Sequence, residues 1–176
     1  GLGDVYKRQM QHRVETADGR RQFACFPAAV LGLIVDQVDR FLLLSRPDRG
    51  AWQVVAGALE AGESPRDALI RETAEEVGAG VRIQPIAVAH TFQYPYDPSV
   101  PPILSIAYVA RYGGGAIEPG SDMVGSEAGW FTLEEISDER THLLMPELPW
   151  LCRRALTLTN AYSTPAEEEL EPWVTR

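Results

Sequence analysis

Three carboxylates, Glu72, Glu75 and Glu76, follow a cation, Arg71, in a segment with helical spacing. At about 100° per residue they share an arc of roughly 100° on one side of such a helix. Ile70, Ala74 and Val77 fall on the opposite side, which is the expected packing face. Like charges that close repel and favour protonation unless a cation sits among them. Oxygen-only ligands are the set that Mg²⁺ and Mn²⁺ prefer, with waters and phosphate oxygens completing the octahedron. Taken alone, an E-x-x-E-E run reads more readily as a solvated acidic face. Its surroundings reverse that.

Residues 57 to 79 read GALEAGESPRDALIRETAEEVGA. Gly57, Glu63, Arg71, Glu72, Glu75, Glu76 and Gly78 occupy every fixed position of the pattern G-x5-E-x7-R-E-U-x-E-E-x-G-U, where U is usually apolar. Thr73, at one U position, is a mild departure, and Ala79 fills the other. With roughly a 1-in-15 chance at each fixed residue, an accidental match is negligible. The segment resembles the box of the Nudix hydrolases, and the resemblance extends over about residues 26 to 160.

The resemblance implies Mg²⁺-dependent (or Mn²⁺-dependent) hydrolysis of a diphosphate linkage in a small nucleoside di- or triphosphate-like molecule, an NTP, dNTP or pteridine triphosphate. Glu72, Glu75 and Glu76 would hold the divalent ions, with the carbonyl of Gly57 as a further ligand. Either Glu72 or Glu76 would instead orient or deprotonate the attacking water. Glu63 and Arg71 would pair to fix the loop against the helix, Gly78 would close the helix, and Gly57 and Gly62 would permit tight turns. Many members add a carboxylate from a later loop; Glu127 is the candidate, with Glu118 and Asp122 behind it. His90 and His142 are alternative bases, although a lone histidine is more often structural.

Three substrate indicators point three ways. The Trp52-Gln53-Val54-Val55-Ala56-Gly57 stretch resembles members acting on dATP or dihydroneopterin triphosphate. Pro95 stands at a spacing associated with ADP-ribose hydrolases, and Tyr94 with Tyr96 at one associated with dinucleoside polyphosphate hydrolases. Phe92, Tyr94 and Tyr96, in a loop rich in rings and prolines, are the candidates for stacking a base. Two readings of other classes stand beside hydrolysis. A non-catalytic nucleotide-binding module usually lacks a box glutamate, and none is missing here. An isomerase of allylic diphosphates needs a reactive cysteine, and neither Cys25 nor Cys152 has a recognisable context.

Stepping outward along the chain, short elements must carry these residues. Apolar runs at 28–35 and 41–44 flank a polar turn and read as a hairpin. Residues 52–55 form a further strand. Ser64 and Pro65 open the box helix and Gly78 closes it. Val81 to Tyr94 and Ile103 to Tyr112 read as strands, Trp130 to Thr132 as another, Leu133 as the start of a short helix, and Pro146 to Tyr162 as a longer one. The expected fold is α/β, a Nudix fold: an α/β/α sandwich around a mixed β-sheet.

With 176 residues and an ordinary apolar fraction, the chain supports one core. Residues 1–9 match an in-frame translation of a sequencing-library adapter, 10–25 form an N-terminal segment, 26–162 the Nudix domain, and 163–176 an acidic tail. The net charge of -9 disfavours a nucleic-acid backbone as partner, since phosphate binding calls for a basic surface. A small phosphorylated molecule remains compatible through metal ions. No apolar run reaches membrane-spanning length, and two unpaired cysteines fit a reducing compartment. The expectation is a cytoplasmic monomer or homodimer acting on a small molecule, with no membrane partner.

Overall fold

The structure is a computed structural model that describes residues 13–46, 48–95, 98, 100–120 and 123–162. Residues 1–9, Tyr96, Asp122 and the tail 163–176 therefore lie outside the described residues.

Chain order begins with a small hairpin, β1 (Arg13–Glu15) and β2 (Gln22–Ala24), whose strand residues are all exposed. Each strand is three residues long with a single large apolar residue, Val14 or Phe23, too short for alternation to mark it in the sequence. The main sheet follows: β3 (Ala28–Val35), β4 (Phe41–Arg46), β5 (Ala51–Gln53), β6 (Val55–Ala58), β7 (Ile83–Tyr94), β8 (Ile103–Tyr112) and β9 (Ala128–Phe131). Helix α1 (Pro65–Glu76) lies between β6 and β7; α2 (Leu133–Ser137) and α3 (Leu148–Ala161) follow β9.

At the centre, β3 runs parallel to β8 over its whole length and antiparallel to β6. β4 meets β3 only at Val35 opposite Phe41, then pairs with β5 and β9. The single strand expected over 52–55 is two strands broken at Val54. Residues 51–53 bond to β4, whereas 55–58 bond to β3, so the chain changes partner at Val54.

Period-two alternation splits the core. Leu31, Leu33, Val35, Phe41, Leu43 and Val54 face α2 and α3. Val30, Ile34, Leu42, Leu44 and Val55 face α1, burying Ala68 and Leu69. Helices thus cover both faces of a mixed sheet, which is the expected α/β/α sandwich. No helix among the described residues is long and apolar enough to cross a membrane.

Helix α1 begins as its sequence dictates. The Ser64 hydroxyl accepts a hydrogen bond from the Asp67 N–H, and Pro65 follows at a position that needs no donor. Its packing face matches the expected one at Val77, which is fully buried, and departs from it at Ile70. Ile70 is 43% exposed, while Ala68, Leu69, Thr73 and Glu76 turn inward. Thr73 suits this because its hydroxyl donates to the Leu69 carbonyl at 2.7 Å, so burial leaves no polar atom unpaired. Leu69 packs where β3 offers no side chain: a Cβ on Gly32 would stand 2.7 Å from Leu69 Cδ1. Gly32→Ala should therefore lower stability by about 1–3 kcal/mol through overpacking, read from the urea midpoint. An unchanged midpoint would show that α1 is free to move outward.

Candidate active site

Arg71 organises the loop and helix around it. A guanidinium has five N–H donors, and five bonds are present here. Nε and Nη2 take the two oxygens of Glu63 at 2.9 and 3.0 Å. Nη1 reaches Glu72 at 2.8 Å and Glu75 at 2.9 Å. The second Nη2 contact goes to the Ala58 carbonyl at 2.9 Å. This bidentate fork ties the start of the box to the middle of α1, as expected of the Glu63–Arg71 pair. The Arg71 bonds hold the Glu63 carboxyl below its usual range, and Glu63, first among the partners, drives the Arg71 pKa further upward.

Glu76 stands apart from that cluster. It is 8% exposed, and its Oε2 accepts the Ala56 N–H at 3.0 Å. The expected division of α1 into an acidic face and an opposite apolar face therefore needs correction. The glutamates lie along the border of the buried face, where α1 meets β6.

Gly57 occupies that border on the strand side. It lies in extended β6 and not in a tight turn; a Cβ there would fall 1.9 Å from the Glu72 Cδ. The residue is needed because it has no side chain, and Glu72 fills the space. Gly62, by contrast, has φ 84° and makes the expected turn. At the other end of α1, Gly78 has φ 136°, and a Cβ there would stand 3.1 Å from the Glu118 carbonyl oxygen. The incoming loop bonds the helix end, Glu118 N–H to Val77 and Gly120 N–H to Glu76.

Among the described residues, no three His, Cys, Asp or Glu side chains converge as a preformed ion cage. The donor chemistry nonetheless fits a hard divalent cation. Three carboxylates share one guanidinium with a fourth, Glu76, on the same helix, every candidate ligand atom is oxygen, and the Glu72 carboxylate fills the space over Gly57 that a side chain would take.

Gly57 also borders a cavity of about 500 Å³ on the opposite face of the sheet, lined by Ala56, Gln53, Phe92, Tyr94 and the buried Ser105 among others. Phe92 and Tyr94, two of the three ring candidates, thus line a pocket that reaches the box. Arg46 and Arg49 also line it. Both pair with Asp48, at 2.9 and 3.7 Å. The sequence reading missed Arg46, Arg49 and Ser105, whereas Gln53 belongs to the stretch it tied to substrate choice. The one available signal was two arginines bracketing the turn between β4 and β5.

The other candidates sit elsewhere. Glu127 is exposed at the start of β9, where its N–H is bonded to the Ser45 hydroxyl and its carbonyl to the Ser45 N–H. Among the described residues its carboxylate joins no ion-holding group with the box glutamates. Glu118 lies exposed in the loop that covers the α1 end. The His142 carbonyl accepts the Trp52 N–H, and His90 stacks with Phe92. Cys152 is buried in α3 with its thiol pushed up to about 12 by desolvation, and Cys25 is exposed between β2 and β3. Neither cysteine faces the cavity.

Arg71→Lys would keep the charge and lose the fork, whereas Arg71→Ala would leave the carboxylates facing one another. The expected losses are about 1–2 and about 2–4 kcal/mol, between the values for exposed and buried pairs. Denaturant unfolding checks this, and a lysine variant as stable as wild type would show that the fork is dispensable.

Comparison with known proteins places the arrangement. The family profile described as NUDIX domain matches residues 26–151. The NAD-capped RNA hydrolase NudC of Chromobacterium violaceum is 33% identical over 107 residues, covering 59% of this chain and 38% of that protein. A MutT-like protein of Streptomyces ambofaciens is 26% identical over 110 residues, 62% of this chain and 66% of that one. The chain thus spans well under half the length of the first relative and about two thirds of the second. The fold is similar to that of a NUDIX-family hydrolase from Clostridium perfringens, with TM-score 0.62 and 20% identity over 74% of this chain and 95% of that one.

Proposed function

The chain belongs to the Nudix family, and on that footing we propose that it is a Mg²⁺-dependent pyrophosphohydrolase of a nucleoside di- or triphosphate-like small molecule. The observation that carries this reading is the continuity at Gly57, where the box carboxylates and the ring-lined cavity meet. A diphosphate held at the box leaves its organic head room in the cavity, against Phe92 and Tyr94. Arg46 and Arg49 supply positive charge at the cavity wall, which suits an anionic substrate.

Within the box, Glu72, Glu75, Glu76 and the Gly57 carbonyl are the residues that would hold the metal. When bound, it polarises phosphoryl oxygens and lowers the pKa of coordinated water. Arg71 positions Glu72 and Glu75 and keeps them from drifting into solvent. Glu76, fixed by the Ala56 N–H, is the better anchored of the two candidate bases. Its carboxylate is held at β6, while that of Glu72 is shared with Arg71. Glu127 remains a proposed supplementary ligand that would have to swing toward the box.

The similarity to NudC favours a substrate with a dinucleotide-like head as a second reading. The dATP-like, pteridine and ADP-ribose alternatives remain members of the test panel. Phosphate release is measured with Mg²⁺ from dATP, dihydroneopterin triphosphate, ADP-ribose, NADH and diadenosine polyphosphates, after phosphatase treatment where needed. Wild type should cleave at least one, and Glu76→Gln, which can still accept from Ala56, should lose about a hundredfold or more in kcat. Silence across the panel with both Mg²⁺ and Mn²⁺ would sink the hydrolase reading in favour of a binding module.

A further inference from the structure

The sheet sets a length scale for whatever enters the cavity. Gly57 pairs with Val30, Val30 with Ile106, and Ile106 with Thr91. Three interstrand steps separate the box end from β7 by about 14 Å. Phe92, next to Thr91, therefore stands on a wall three strands from the box.

The aromatic surface continues past that wall. His90 stacks on Phe92 with centroids 6.0 Å apart and planes inclined by 19°. Trp150 of α3 meets His90 edge-on at 5.0 Å. Arg154, one helical turn later, lies 5.8 Å over the Trp150 ring, with its Nε bonded to the Ala89 carbonyl. Trp150 is nonetheless 45% exposed. Packing of α3 on the sheet does not require it, because Leu148, Leu151, Cys152 and Ala155 make that contact. His90, Trp150 and Arg154 lie outside the cavity lining, so the row begins where the cavity ends.

Resting on the reading of box and cavity above, we propose that Trp150, with His90 and Arg154, forms a second stacking subsite. The substrate it selects carries two nucleobases in series on one side of the scissile linkage, as in a 5′-phosphorylated dinucleotide. The first base fills the cavity against Phe92 and Tyr94, and the second lies on Trp150. Stacking on an aromatic ring tolerates any base, so the subsite counts rings and does not read sequence. The overall charge of -9 opposes a long polyanion, so nucleotides beyond the second add little.

The test compares kcat/KM for ATP and for 5′-triphosphorylated diadenylate (pppApA), with Mg²⁺, in wild type, Trp150→Ala and Trp150→Phe. Wild type should favour the two-base substrate by about tenfold, Trp150→Ala should lose most of that preference, and Trp150→Phe should restore most of it. A residue that only packs α3 would change both substrates alike. The same ratio in wild type and Trp150→Ala overturns the proposal. If wild type hydrolyses neither substrate, the hydrolase reading fails separately. Dissociation constants for AMP and pApA without added metal then decide the subsite. A preference for pApA that Trp150→Ala abolishes supports it, and equal preference in both proteins overturns it.

Discussion

A single guanidinium holds opposing demands together at the centre of this molecule. Arg71 draws Glu63, Glu72 and Glu75 into one cluster and reaches back to the Ala58 carbonyl. Without it, the loop from Leu59 to Ser64 would have little to fix it against α1, because glycine at Gly62 adds freedom and the Glu60 N–H is satisfied through Glu63. The cluster also carries more negative charge than Arg71 neutralises. That excess is tolerable at a partly solvated border and becomes favourable when a divalent cation arrives. The rest of the fold serves to keep this border in place.

The pleat of the sheet explains how one short segment serves two surfaces. At β6, Val55 turns toward α1 while Ala56, and Val54 just before the strand, turn toward the other face, where Phe92 and Tyr94 stand. Gly57, the next residue, has no side chain to block either side. Carboxylates from one layer and rings from the other can therefore meet at its backbone. A larger residue there would displace Glu72 and separate the two functions.

Local chemistry was legible in the sequence. The Ser64-Pro65 start of α1, its end at Gly78, and the strands over 28–35 and 103–112 follow from caps and apolar runs whose information lies within a few residues. The fixed spacing of Gly57, Glu63, Arg71 and the glutamates named the box before any geometry. What stayed hidden depended on partners distant in sequence. Glu76 tolerates burial because a strand N–H twenty residues away, at Ala56, donates a hydrogen bond to its carboxylate. The break at Val54 arises because β5 and β6 bond to different strands. Arg46, Arg49 and Ser105 reach one cavity from separate strands and turns, which no periodicity reveals. The hairpin β1–β2 has only three residues in each strand and one apolar pair, Val14 opposite Phe23, too little for a period to show.

The most direct measurement is anomalous diffraction from a crystal grown with Mn²⁺ and a methylene-bridged, non-hydrolysable ATP analogue. An anomalous peak is expected at bonding distance from the Glu72 and Glu76 carboxylates and the Gly57 carbonyl. The analogue's phosphates should meet that ion and its base should lie against Phe92 and Tyr94. An ion bound away from these glutamates, or a nucleotide seated outside the cavity beside Gly57, would contradict it.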